Sequence, residues 1–178
     1  MSSPAPRRNV FLIGPMGSGK TAVGKQLARL LDLTFYDSDV EIERRTGVDI
    51  PYIFEKEGET GFRERERDVI DSLTQLHDVV VATGGGAVLM PENRERLAAR
   101  GNVVYLRTGI RQQLERTRHG RQRPLLFTTD PEGRLRELME VRAPLYESIA
   151  AVTVATDGRH VRVVADEILE RLQSLATS

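Results

Sequence analysis

The chain has 178 residues, with 26 basic and 26 acidic side chains and a hydrophobic fraction of 39%. This length suits one domain, and the balanced charge gives no support for general binding to nucleic acid or to a membrane surface. The absence of cysteine excludes disulfides and cysteine-ligated metal sites. No apolar run approaches the ~18 residues of a transmembrane helix, and residues 1–8 lack the apolar core of a signal peptide, so we expect a cytoplasmic protein with a short disordered lead-in.

A phosphate-binding loop follows the first apolar run. Residues 9–13 predict a short strand, and residues 14–21 match the motif G-x-x-x-x-G-K-[ST], with a helical pattern directly after it. The backbone N–H groups of such a turn and the helix N-terminus attract an anion, so we predict nucleotide binding. Lys20 would reach the terminal phosphates, and the Thr21 hydroxyl would bind Mg²⁺. The predicted nucleotide-binding residues of this loop are Gly14, Gly17, Ser18, Gly19, Lys20 and Thr21.

Two carboxylates follow the second predicted strand, residues 34–36. Asp37 and Asp39 are two residues apart. Beside a phosphate-binding loop they suit phosphoryl transfer, because one can act on Mg²⁺ and the other can accept a proton from an attacking hydroxyl. The alternative is that an aspartate here only caps the helix that follows. The neighbouring loop favours the catalytic interpretation.

A dense charge run occupies residues 62–68, within a helical pattern over residues 59–76. Most of these charges are explained by pairs three residues apart on a solvent-exposed helix, such as Arg63 with Glu66. An arginine held by a glutamate on the inner face would instead bind a carboxylate through two parallel hydrogen bonds. The sequence leaves both interpretations open.

Three glycines, Gly84, Gly85 and Gly86, follow the third predicted strand, residues 79–82. Such a triplet lets the backbone approach a ligand closely and offers bare N–H donors, although a flexible turn is the alternative. Pro91 then begins a predicted helix that ends at residue 100.

An irregular, arginine-rich segment covers residues 117–131. A loop of this length in a compact domain is usually functional or disordered. Its basic residues are not interleaved with aromatic ones, which argues against a nucleic-acid surface. We therefore predict a mobile lid that brings positive charge onto a bound nucleotide.

The remaining apolar runs complete an alternating pattern. Residues 103–106 and 152–155 predict two further strands, and the last helix carries an apolar stripe formed by Val161, Val164, Ile168, Leu172 and Leu175. Continuous apolar strands that alternate with helices predict an α/β fold, with a parallel sheet and helices on both faces. Ligands of such sheets bind beyond the carboxyl ends of the strands.

Taken in chain order, these motifs resemble the shikimate kinase family. The pattern is the P-loop, D-x-D at residues 37–39, F-R-x-x-E at residues 62–66, the glycine triplet, R-P-L-L at residues 123–126 and R-x-P-L-Y at residues 142–146. The resemblance runs from residue 9 to about residue 172. It implies a P-loop kinase-type three-layer fold, with a five-stranded parallel sheet in the order 2-3-1-4-5, helices on both faces and a mobile lid. It also implies ATP-dependent phosphorylation of shikimate on its 3-hydroxyl.

The resemblance implies roles for individual residues as well. Asp39 would be the catalytic base, and Lys20 and Arg123 would hold the transferring phosphoryl group. Asp37 would position Mg²⁺ through water. The nucleotide would also be contacted by Arg116, stacked on adenine, by Arg123 and by Arg159. The shikimate-binding residues would be Asp39, Arg63, Glu66, which orients the arginines, Arg142, Gly84, Gly85, Gly86 and the apolar walls Phe54 and Phe62.

One feature departs from the family pattern, because the short loop at residues 156–159 lacks the proline that often lies on the second face of adenine. The expected organisation is one monomeric kinase domain over residues 1–178, with a substrate-binding segment at 38–68 and the lid at 117–131. A kinase acting on gluconate or a nucleoside monophosphate is one alternative. A nucleotide-dependent switch without acceptor chemistry is another.

Overall fold

The computed structural model describes residues 8–118, 126 and 128–178. Its five strands all pair in parallel, in the order β2-β3-β1-β4-β5. This confirms the predicted sheet order and all five predicted strands. The strands are β1 (Val10–Ile13), β2 (Thr34–Asp37), β3 (Val79–Ala82), β4 (Asn102–Arg107) and β5 (Val152–Ala155).

Helices connect the strands and cover both faces of the sheet. Their bounds are α1 (Lys20–Leu31), α2 (Ser38–Thr46), α3 (Ile50–Gln75), α4 (Pro91–Arg100), α5 (Ile110–Thr117), α6 (Pro131–Ile149) and α7 (Val161–Ala176), with a 3₁₀ turn at Ala87–Leu89. The element α3 consists of two helical segments that meet at Gly58, whose φ of 72° and ψ of −178° are not helical. The helical pattern predicted over residues 59–76 matches the second segment, whereas the first segment, which Asp49 caps, was not predicted.

Two apolar clusters lie on opposite faces of the sheet, and β1 contributes to both. Phe11 and Ile13 face the cluster under α3, α4 and α6, whereas Leu12 faces the cluster under α1 and α7. Burial on both faces explains the continuous apolar runs of the central strands β1, β3 and β4. The predicted stripe of α7 holds through Leu172, but Leu175 is 43% exposed, because the core contacts of the helix end before its last turn.

Several sequence predictions fall outside the described residues. These are residues 1–7 of the disordered lead-in predicted over residues 1–8, Arg123 and most of the proposed lid, since residues 119–125 and 127 are not described. In the part of the chain that the structure describes, no helix is long and apolar enough to cross a membrane.

Candidate active site

The carboxyl ends of β1, β2 and β3 open into one cleft of about 320 Å³. Each strand delivers a different motif to this edge, namely the phosphate-binding loop, the aspartate pair and the glycine triplet. The cleft is lined by residues from all three, including Lys20, Thr21, Asp37, Asp39, Gly84 and Gly85. The topology therefore brings together motifs that are far apart in sequence.

The phosphate-binding loop has the geometry that its glycines permit. Gly17 and Gly19 have φ of 79° and 89°, in the left-handed region that disfavours side chains. The Lys20 ammonium donates hydrogen bonds to the carbonyl oxygens of Gly14 (2.7 Å) and Pro15 (2.8 Å). The Lys20 ammonium group therefore lies against the backbone carbonyl groups of the loop, beside the N-terminus of α1.

Asp37 both caps a helix and reaches the phosphate-binding loop. Its Oδ1 accepts hydrogen bonds from the backbone N–H of Asp39 (2.9 Å) and Val40 (3.3 Å), which caps α2. Its Oδ2 accepts a hydrogen bond from the Thr21 hydroxyl (2.8 Å). The two interpretations of this residue are therefore compatible, because each uses a different oxygen.

Asp39 places a partly buried carboxyl group in the cleft. Burial raises its pKa to about 7, helped by the nearby charges of Glu66 and Asp37, while Lys20 and Arg63 act in the opposite direction. Its Oδ1 is buried and has no hydrogen-bond partner among the described residues. A carboxyl with this pKa can both accept and release a proton near neutral pH.

The charge run of α3 divides between two environments. Arg63 and Glu66 lie on the buried face, where Arg63 Nη1 donates to Glu66 Oε1 at 2.9 Å. Arg65, in contrast, pairs with Glu57 (2.7 Å) on the exposed face. An arginine held by a glutamate on the inner face is thus present, as one of the two interpretations requires.

Each glycine of the triplet faces a charged side chain. A Cβ on Gly84 would lie 2.8 Å from both Asp39 Oδ1 and Glu66 Oε2. A Cβ on Gly85 would lie 3.3 Å from Arg142 Nη1, and one on Gly86 would overlap the guanidinium of Arg63. The space that three side chains would need is therefore occupied by the charged groups of the site.

Arg142 completes the charged cluster from α6. It is 3% exposed, burial lowers its pKa, and its Nε has no hydrogen-bond partner among the described residues. Arg63 Nε and Glu66 Oε2 are likewise buried without partners there. Two buried arginines with spare donors, next to two carboxyls with spare acceptors, suit a small ligand that carries a carboxylate and hydroxyls.

Two aromatic rings lie against this cluster. Phe54 and Phe62 pack with their ring centroids 4.8 Å apart, and the Arg63 guanidinium lies 5.1 Å from the Phe62 centroid. Their predicted role as apolar walls of the acceptor site stays a prediction.

The predicted nucleotide-binding arginines differ in position. Arg116 donates from Nη1 to the Gly17 carbonyl oxygen (3.3 Å), so it lies directly on the phosphate-binding loop. Arg159 lies after β5, where it donates to the Ala155 carbonyl oxygen (2.7 Å) and pairs with Glu167 (2.6 Å). Arg159 is not among the residues that line the cleft. Both nucleotide contacts remain predictions.

Two hydroxyl groups at the site were missed by the sequence predictions. Ser38 Oγ accepts a hydrogen bond from the Gly84 N–H (3.0 Å), and the Tyr146 hydroxyl donates to the Gly85 carbonyl oxygen (2.5 Å). Both residues belong to motifs that the sequence displays, as the middle of D-x-D and the end of R-x-P-L-Y. Their motif positions were therefore the available signal.

Residues 16–173 match the sequence model of a protein family described as shikimate kinase, and this match decides the family. The chain belongs to the shikimate kinase family. A curated shikimate kinase from Halorhodospira halophila is 58% identical over 164 residues, which cover 92% of this chain and 93% of that protein. The solved shikimate kinase from Acinetobacter baumannii in complex with shikimate has a TM-score of 0.93 and 50% identity, covering 96% of this chain and 94% of that one.

A more distant structural likeness extends to a kinase of another name. A gluconokinase from Sinorhizobium meliloti 1021 has a TM-score of 0.62 with 18% identity, covering 96% of this chain and 94% of that one. That likeness shows a shared fold alone. Shikimate kinase membership and the P-loop kinase fold, both predicted from the motifs, are confirmed.

Proposed function

We propose that the chain transfers the γ-phosphoryl group of ATP to the 3-hydroxyl of shikimate, giving shikimate 3-phosphate and ADP. This is a step of aromatic amino-acid biosynthesis through chorismate. The observation that carries the proposal is the set formed by the buried Arg63 and Arg142 and the partly buried Asp39 around the glycine triplet, next to a phosphate-binding loop. High identity to shikimate kinases over nearly the whole chain supports the same substrates.

The acceptor half of the site would bind shikimate through its charges. Arg63 and Arg142 offer planar donor pairs that match a carboxylate, and Glu66 holds Arg63 in place at 2.9 Å. Phe54 and Phe62 would contact the carbon ring. A substrate carboxylate placed between the two arginines would directly satisfy their buried, unpartnered Nε groups or the neighbouring Nη groups.

Asp39 would then act on the reacting hydroxyl. The oxygen of the 3-hydroxyl attacks the γ-phosphorus, the bond from that phosphorus to the bridging oxygen of ADP breaks, and the hydroxyl proton passes to Asp39. Its buried Oδ1, free of protein partners among the described residues, is the acceptor. Much of the catalysis would still come from positioning and charge neutralisation, since phosphoryl transfer needs little covalent help.

The nucleotide half would be built around the loop at residues 14–21. Its N–H groups and the Lys20 ammonium would hold the phosphates, with Arg116 on the adenine side and Arg159 nearby. Arg123 would add charge to the transferred group; this part of the proposal rests on the sequence motif alone.

The Thr21 hydroxyl and the Asp37 carboxylate, 2.8 Å apart, fit a Mg²⁺ site. Oxygen donors of this kind suit Mg²⁺, which usually keeps several waters and bridges to substrate phosphates. The ion, bound with ATP, would neutralise phosphate charge. Asp37 would act through water, because its Oδ1 already caps α2.

The proposed organisation is one kinase domain over residues 1–178, with residues 38–68 as the substrate-binding segment and 117–131 as the lid. We also propose that the protein acts in the cytoplasm as a monomer, without nucleic-acid partners. Size-exclusion chromatography with light scattering tests the monomer: a mass near 20.0 kDa is expected, and twice that mass contradicts it.

An acceptor panel tests the activity. ADP release is measured with ATP and Mg²⁺ plus shikimate, gluconate, a nucleoside monophosphate or no acceptor. We expect turnover that depends on shikimate alone. Faster turnover with gluconate or a nucleoside monophosphate would contradict the substrate, and nucleotide binding with no acceptor-dependent turnover would favour a switch.

A further inference from the structure

We propose that Tyr146 is a positioning residue for the phosphoryl transfer, and that its hydroxyl fixes the glycine triplet between the two halves of the site. The inference rests on the proposed function. Tyr146 itself does not touch the reacting atoms; it acts through Gly85, and its hydroxyl also interacts with the side chain of Arg142.

The placement of Tyr146 is tightly determined. The residue is 1% exposed, and its hydroxyl donates to the Gly85 carbonyl oxygen at 2.5 Å. Its ring packs on Tyr105 with centroids 5.0 Å apart. Because Tyr146 lies four residues after Arg142 on α6, both side chains leave the same face of that helix.

Gly85 is the point at which the two halves of the site meet. A Cβ on this residue would lie 3.3 Å from Arg142 Nη1 and 3.4 Å from the backbone nitrogen of Met16 in the phosphate-binding loop. Gly85 is thus packed between Arg142 and the phosphate-binding loop, and the hydrogen bond to its carbonyl group anchors it there.

A second hydroxyl holds the same turn from the opposite side. Ser38, between the two aspartates, accepts the Gly84 N–H at 3.0 Å. The triplet is therefore held by one bond toward α2 and one toward α6. Without the Tyr146 hydroxyl, the Gly85 carbonyl would lose its partner and the turn could move away from Arg142 and Asp39. Displacements of this kind lower rates strongly when reacting groups must be aligned.

Tyr146→Phe tests the inference because it keeps the ring and removes only the hydroxyl. We expect kcat to fall about tenfold and the KM for shikimate to rise several-fold, whereas the Kd for ADP alone stays within about twofold. The matched control is Tyr105→Phe, since no hydrogen bond within the described residues joins that hydroxyl to the triplet. It should leave kcat and both KM values unchanged.

A purely structural role predicts a different result. Loss of stability would reduce the amount of active enzyme and lower apparent kcat without changing either KM. Kinetics are therefore measured well below the melting temperature, with the folded fraction of each variant determined. An unchanged shikimate KM and a normal kcat per folded molecule in Tyr146→Phe would overturn the inference.

Amide hydrogen exchange of the ligand-free protein gives a readout that does not depend on the substrate. In Tyr146→Phe we expect exchange of the Gly84 and Ala87 amides to be roughly five- to tenfold faster, as for the loss of one neutral hydrogen bond. Unchanged exchange would refute the positioning role. A wild-type protein inactive on shikimate would instead overturn the proposed function, while exchange would still decide whether the hydroxyl orders the triplet.

Discussion

Replacing Asp39 with asparagine should abolish most of the activity and also make the protein more stable at neutral and alkaline pH. Burial, together with Glu66 and Asp37, raises the pKa of Asp39 to about 7 from an ordinary value of 3.8. A raised carboxyl pKa means that ionising Asp39 opposes folding. In the wild type, Asp39 therefore makes its full contribution to folding stability only below pH 3.8. That contribution is lost as the pH rises through about 7.

The size of the effect follows from the shift in pKa. A difference of about 3 units between the unfolded and folded values corresponds to about 4 kcal/mol in the free energy of unfolding. Asparagine mimics the neutral carboxyl and does not ionise. The stability of Asp39→Asn relative to wild type should therefore rise between pH 4 and pH 7 and level off above that range, with a total gain of up to about 4 kcal/mol.

Urea unfolding at a series of pH values between 4 and 9 measures this difference directly. The exposed Asp166 on α7 provides the matched control, because Asp166→Asn removes a carboxylate that is not buried. Its stability curve should run parallel to that of the wild type. Parallel curves for Asp39→Asn and wild type would refute the electrostatic account of the site. The same variant should lose activity by ~10²-fold if Asp39 is the base.

Three further predictions concern the charges around Asp39. Lys20→Ala should lower kcat by about 10²- to 10³-fold with the fold intact, measured by steady-state kinetics and circular dichroism; near-normal kcat would contradict its role. Arg63→Lys and Arg142→Lys should each weaken shikimate binding by calorimetry while ATP binding changes little, because an ammonium cannot replace a planar donor pair; equal weakening of ATP binding would place these residues elsewhere. Glu66→Gln removes a charge that raises the pKa of Asp39. The fall of kcat/KM on the acid side of its pH profile should therefore move to lower pH; an unchanged profile would contradict the electrostatic coupling between Glu66 and Asp39.

The sheet could be predicted from sequence because its central strands β1, β3 and β4 are buried on both faces and contain continuous apolar runs. The edge strands β2 and β5 are less buried, but neither is interrupted by proline or glycine. The segment of α3 before Gly58 was not predicted. Asp49 caps it locally, and Ile53 holds it to the core through a packing contact that the sequence does not display.

The sequence singles out individual residues of the candidate site, but it does not display their arrangement. Spacing alone cannot separate the buried Arg63–Glu66 pair from the solvent-exposed charges of the same helix, because the helical spacing is the same for both. The match between each glycine of the triplet and one charged group depends on how α3 and α6 pack. Tyr146 has the pattern of an ordinary core aromatic, so its hydroxyl contact with Gly85 becomes visible only in three dimensions.

The most direct test of the whole account is a crystal structure of this protein with shikimate and ADP. The account predicts the shikimate carboxylate within about 3 Å of the guanidinium groups of Arg63 and Arg142, and the 3-hydroxyl at the same distance from Asp39 Oδ1, facing the phosphate-binding loop. Shikimate bound with its carboxylate toward Lys20, or with a different hydroxyl on Asp39, would contradict the account.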